Sequence, residues 1–174
     1  MLKTILIVLT LLVAGVLAYA ALQPDEFAVQ RSAVIQAPPE KIVPHLEDFR
    51  RWAAWSPYEK LDPQMRRRYS GPERGVGASY DWDGDDRAGA GRMRITQSST
   101  QRVAIALDFV KPLPGHYVAT FDLQPEGTAT RLTWSMRGPD PYVGKLMGLF
   151  FDRDEMIGKD FETGLSSLAT LSET

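Results

Sequence analysis

A chain of 174 residues with 44% hydrophobic and 24% charged residues has the make-up of one folded domain plus an accessory segment, which excludes a largely disordered protein. Twenty basic residues stand against 22 acidic ones, and the formal charge of −2 gives no electrostatic ground for nucleic-acid binding. The lack of cysteine excludes disulfides, thiolate metal sites and thiol catalysis.

Residues 4–22 are uncharged and almost all Ile, Leu, Val or Ala. At about 1.5 Å per residue, a helix of that length spans roughly the 30 Å core of a bilayer. Lys3 precedes the run and Asp25 and Glu26 follow it. The positive-inside tendency therefore leaves the N-terminus in the cytoplasm and puts the rest on the non-cytoplasmic side of a single-pass anchor. Ala18-Tyr19-Ala20 also has the form of a signal-cleavage site, so a secreted or periplasmic domain is the alternative; the run exceeds the usual apolar stretch of about 7–15 residues, which favours retention. The division expected is 1–22 membrane segment, 23–26 linker and 27–174 folded domain.

Phe27, Val29, Ala33 and Ile35 alternate with polar or small residues, the pattern of a strand with one face inward. Pro38-Pro39 ends it, and Pro39 suits the first position of a helix in which Ile42, Leu46 and Phe49 share a face and Pro44 imposes a bend. Residues 50–63 read as an aromatic-rich loop. Strands are expected over 64–69, 78–82, 91–98, 101–110, 117–123 and 130–136, joined by turn chemistry at Gly84-Asp85-Asp86, Ser98-Ser99-Thr100 and Pro125-Glu126-Gly127. Short joints between alternating strands imply antiparallel pairing. Asp140-Pro141 is expected to open a short helix as N-cap and first residue. From Asp152 a long helix follows, with Ile157, Phe161, Leu165 and Leu168 on one face and Asp152, Asp154 and Glu155 at its electropositive start. That apolar stripe needs a cover, and the strands are the material available. The fold class is α+β: a helix-grip, in which a curved antiparallel sheet of about six or seven strands wraps the long C-terminal helix, plus one N-terminal membrane helix.

Several segments in this order resemble the START-related helix-grip (SRPBCC) superfamily, specifically its polyketide cyclase/dehydrase and lipid-transport-like group. The resemblance is carried by Ile35 through Lys41, Trp52-Ala53-Ala54-Trp55-Ser56-Pro57, Asp62-Pro63, Tyr69-Ser70-Gly71, Gly75-Val76-Gly77-Ala78 and Trp82-Asp83-Gly84. It continues through Gly89 and Gly91 into Met93 and Ile95, and closes with Asp160-Phe161-Glu162-Thr163-Gly164-Leu165. It covers about residues 27–172 and implies a cavity between sheet and last helix that holds an apolar small molecule or lipid. It does not by itself imply catalysis.

The ligand-lining set expected from this reading is Trp52, Trp55, Tyr80, Trp82, Met93, Phe109, Tyr117, Phe121, Trp134, Phe161 and Leu165. Each also has a plain structural role: Trp52 and Trp55 are either a lid or a plug at one end of the sheet, and inward aromatics at period two are ordinary core. The run Asp81 to Asp86 fails as a calcium loop, because the sixth position is Asp86 instead of glycine and the twelfth is Arg92 instead of glutamate. Arg66-Arg67-Arg68 fits an edge strand whose charges discourage sheet-to-sheet pairing, with anionic lipid as the other reading. His45 and His116 have no catalytic or metal-binding neighbours in sequence, and no motif implies a cofactor or a metal. The function expected is a membrane-tethered binding domain, the membrane being met through residues 4–22. The alternatives are a cyclase- or hydratase-like enzyme and a partner-binding or sensor domain with a filled core. A void above about 300 Å³ separates the first from the last.

Overall fold

The computed structural model describes residues 1–174. The apolar run forms helix α1, Leu2–Ala21, which is long and apolar enough to cross a membrane and is almost wholly exposed on the protein. Seven strands follow it into one sheet: β1 (Glu26–Ile35), β2 (Arg66–Ser70), β3 (Ser79–Asp83), β4 (Ala90–Ser98), β5 (Arg102–Lys111), β6 (Gly115–Glu126) and β7 (Ala129–Pro139). Their order across the sheet is β1-β7-β6-β5-β4-β3-β2, every pair antiparallel, with register shifts in the β4–β5 ladder that help the sheet curve. Helix α2 (Pro39–Leu46) follows β1, and α3 (Tyr142–Gly148) and α4 (Arg153–Ser172) close the chain. The α+β helix-grip architecture and the seven-stranded sheet are those expected from the sequence.

Helix α4 lies along the inner face with Phe161, Leu165 and Leu168 buried. Asp152 caps it, its carboxylate accepting from the Glu155 N–H at 2.9 Å. Arg31 on β1 holds its outer side, donating from Nε to Glu162 at 3.0 Å and from Nη2 to Asp154 at 2.9 Å. Gly158 lies directly against that guanidinium, which a Cβ there would displace.

Three local readings change. The segment expected as a loop over 50–63 contains two short 3-10 helices, Phe49–Ala54 and Pro57–Lys60. They are fixed by the indole N–H groups of Trp52 and Trp55, which donate at 3.1 Å to the Leu46 and His45 carbonyls left free at the end of α2. Asp140 is not the N-cap of α3: Pro141 takes that position, and the buried Asp140 carboxylate accepts from Arg153 instead, at 3.0 Å from Nη1. The edge strand β2 begins at Arg66, because Asp62 folds the chain back beforehand and turns Met65 inward.

The interior is filled unequally. At the end of the sheet where β1 stops, Ile35, Ile42, Leu46, Leu132 and Leu168 are fully buried. Beside them Trp52, Trp55, Phe121 and Trp134 form a nest of rings with centroids 4.8–6.0 Å apart. Gly164 is what lets α4 approach this nest: a Cβ there would lie 2.8 Å from Trp134 Cζ3 and 3.3 Å from Pro57 Cδ. Gly164→Ala gains about 1 kcal/mol of helix propensity but forces ring and helix apart, a cost of about 1–3 kcal/mol. The net loss is up to about 2 kcal/mol, and the expected result is a thermal midpoint lowered by up to about 8 °C; a raised midpoint would refute the close approach.

Candidate functional site

The other end of the sheet, where β1 starts, is hollow. A cavity of about 320 Å³ lies between the first half of α4 and the inner faces of β3 to β7, with the 3-10 segments closing one side. It passes the size at which a void supports small-molecule binding. Seven of the eleven expected lining residues border it: Trp52, Tyr80, Trp82, Met93, Phe109, Trp134 and Phe161. The other four lie elsewhere. Trp55 and Phe121 are sealed in the aromatic nest, and Leu165 sits one turn further along α4. Tyr117 is wedged edge-on between Phe27 and Phe109, against Gly115 and Gly138.

Residues outside that expected lining set complete the wall. Leu107, Ala119, Met136 and Ile157 add apolar surface, legible in hindsight from strand alternation and helix spacing. Ser56, Tyr58, Glu59 and Asp160 add polar groups, and only the 3-10 geometry brings the first three inward. The mouth is bordered by Arg87, Lys111 and Pro112, all exposed, with Ala88 and Gly89 beside them. Arg87 is paired to Asp85 and Lys111 to Asp83, at 2.8 and 3.2 Å.

The polar groups fall into three sets. Glu59, buried, accepts from the Tyr80 hydroxyl at 2.6 Å and from Arg67 Nε at 2.7 Å, while Arg67 Nη2 donates to the Glu59 carbonyl at 2.9 Å. Burial first, and then the bond to Glu59, push the Tyr80 phenol far above its ordinary value. Tyr58 is raised in the same way by burial and by the facing Asp160. The third set is unpaired: Ser56 Oγ and Trp134 Nε1 belong to residues beside the cavity but are sealed from it, with no hydrogen-bond partner. Two unsatisfied buried donors are a cost that the packing around them has to offset.

Burial raises the Asp160 carboxyl above 3.8, and the Tyr58 hydroxyl opposes that rise only in part. A carboxyl raised in the folded state contributes no penalty below the unfolded value and destabilises as pH climbs towards and past the folded value. Asp160→Asn is therefore expected to flatten this part of the profile, raising the unfolding midpoint at neutral pH but not below pH 3.8. Equal gains at both pH values would contradict the assignment.

Outside the cavity, the arginines of the edge strand β2 are largely spoken for: Arg66 pairs with Asp83 and Arg67 with Glu59. Asp81 is paired to Arg92. His116 is exposed against Asp108, and His45 is half-buried at the end of α2.

A family model described as polyketide cyclase/dehydrase and lipid transport matches residues 26–173. No curated protein matches the chain by sequence. Among solved structures, a Chromobacterium violaceum protein is 20% identical over 87% of this chain and 99% of its own, with a TM-score of 0.57. A Thermobifida fusca protein is 18% identical over 83% and 92%, with a TM-score of 0.61. Ara h 8.0201 is 11% identical over 84% and 97%, with a TM-score of 0.55. At these identities the likeness is one of fold.

Proposed function

Because this chain belongs to the polyketide cyclase/dehydrase and lipid-transport family, we propose that it is a membrane-tethered binding protein for an apolar small molecule or lipid. The observation that carries this reading is the cavity of about 320 Å³, walled mainly by aromatic and aliphatic side chains, in a core that is otherwise close-packed. A partner-binding domain needs no such void. The ligand is an apolar body, matching a wall in which 15 of 22 residues are hydrophobic. Residues 4–22 hold the protein in the membrane, with the folded domain, residues 27–174, on the non-cytoplasmic side.

Native mass spectrometry of the detergent-extracted chain tests the ligand: a lipid-sized adduct is expected to travel with the protein. Ala119→Phe, which places a ring in the void from β6, is expected to remove that adduct and weaken binding of the apolar dye N-phenyl-1-naphthylamine at least tenfold, with the thermal midpoint kept. An adduct that survives Ala119→Phe lies outside the cavity. The same spectra test the tether, since a mass lacking the N-terminal segment identifies a cleaved signal instead.

The Tyr58–Asp160 pair supports one second reading, acid–base chemistry on the bound molecule. In that case Asp160→Asn leaves the adduct bound while its mass no longer changes on incubation; an adduct whose mass never changes in the unaltered protein leaves the carrier reading alone.

A further inference from the structure

The antiparallel ladder fixes which end of the sheet carries the cavity mouth. Glu26 at the start of β1 pairs with Pro139 at the end of β7. Across the sheet from them, Phe109 near the end of β5 pairs with Gly115, Lys111 with Ala90, and Ala90 with Asp83. The mouth residues Arg87 to Gly89 and Lys111 to Pro112 therefore stand at the same end as Glu26, where the apolar helix enters the domain. Only residues 22–25 separate α1 from β1, a reach of at most about 18 Å even if fully extended.

That linker is pinned to the domain. Asp140 N–H donates to the Asp25 carbonyl at 2.8 Å, and the buried Lys145 ammonium donates to the Asp25 carboxylate. The Tyr142 hydroxyl donates to the Leu17 carbonyl at 2.9 Å, so α3 lies against the last turns of α1, and not beyond them. Beside this contact the chain exposes Val143, Met147, Phe150, Phe151 and Met156, and the β5–β6 turn exposes Leu113 at the same end of the sheet. Phe150 is 69% and Phe151 57% exposed, values that water alone does not favour for consecutive aromatics.

We propose that the domain sits mouth-down on its own bilayer, with the α3–α4 joint immersed in the headgroup and acyl boundary so that the cavity loads directly from the leaflet. This rests on the tethered reading above and deepens it. The occupant of the apolar face is the bilayer because a helix held in that bilayer ends against α3, which fixes the depth of the patch to within a turn or so of the membrane surface.

The chain has no cysteine, so single cysteines report without background. Phe151→Cys, Leu113→Cys and, at the opposite end of the sheet, Ser99→Cys are exposed positions that leave the core intact. Each full-length variant is labelled with the environment-sensitive dye NBD and reconstituted into phosphatidylcholine vesicles carrying a nitroxide high on the acyl chain. The expected result is at least twofold quenching at 151 and 113 and none at 99. Labels at 151 and 99 that behave alike overturn the proposal. So does a label at 151 shielded from both water and nitroxide, which identifies a second copy as the cover, and so does a chain that fails to float with the vesicles, which takes the tether down as well. Dye binding in the same vesicles separates the two readings. N-phenyl-1-naphthylamine bound with 151 in water keeps the carrier and removes the docking; 151 in lipid with no dye bound does the reverse.

Discussion

Trp134→Ala is expected to lower stability by about 4 kcal/mol, within the range of about 3–5 kcal/mol for truncating a buried aromatic. The indole is 3% exposed and lies flat on Phe161 with centroids 3.9 Å and planes 5° apart. It also meets Trp55, Tyr58 and Phe121 at 5.5, 6.3 and 5.0 Å. It is thus a contact through which β7 holds the middle of α4, and it divides the packed half of the core from the hollow half. For a chain of this size the loss corresponds to a midpoint lower by about 8–16 °C in thermal unfolding of the detergent-solubilised protein. Its N–H has no partner, so the whole effect is packing, and Trp134→Phe, which keeps a ring on Phe161, is expected to lose less than half as much. Equal losses for the two variants would mean that the stack is not what holds the helix.

Glu59→Ala is expected to cost about 3 kcal/mol, or about 6–12 °C. Glu59 is 8% exposed and ties three elements: the second 3-10 helix, Tyr80 on β3 and Arg67 on β2. Its removal leaves the hydroxyl of Tyr80, a residue 1% exposed, without an acceptor, whereas Arg67 still reaches water. A second readout isolates the bond from the packing. With Glu59 gone, its hydrogen bond and its charge no longer raise the Tyr80 phenol, while burial and Tyr69 still raise it and Arg67 lowers it, so its titration, followed by ultraviolet absorbance, is expected to move to lower pH. An unchanged tyrosine titration would show that the bond to Glu59 does not govern Tyr80.

Much of the fold was legible because it follows from periodicity. Val103, Ile105 and Leu107 alternate as a strand must, and Phe161, Leu165 and Leu168 recur as a helix must; each has the buried position its spacing implies. The errors occur where one side chain chooses between two partners. Asp140 before Pro141 reads as a cap, but Arg153, thirteen residues later, takes its carboxylate. Gly164 carries no packing role that spacing alone reveals, yet it is where Trp134 and Pro57 come closest to the helix. The stretch from Arg50 to Pro63 reads as a loop because Trp52 and Trp55 anchor it through hydrogen bonds to carbonyls of an earlier helix, which no local pattern encodes.

The same division holds for the cavity. Alternation determined which faces of β3 to β7 point inward, and the amphipathic spacing determined which face of α4 meets them; composition determined that the first helix is apolar enough for a bilayer. Whether space remains between those faces was decided only in three dimensions. Trp55, Phe121 and Leu165 have the same pattern as Trp82, Met93 and Phe109, but the first three are packed solid while the second three border a void. The physical reason is that a side chain's direction is a local property of backbone geometry, whereas the distance between sheet and helix is set by sheet curvature and by the few contacts, such as Gly164 against Trp134, at which the two are allowed to touch.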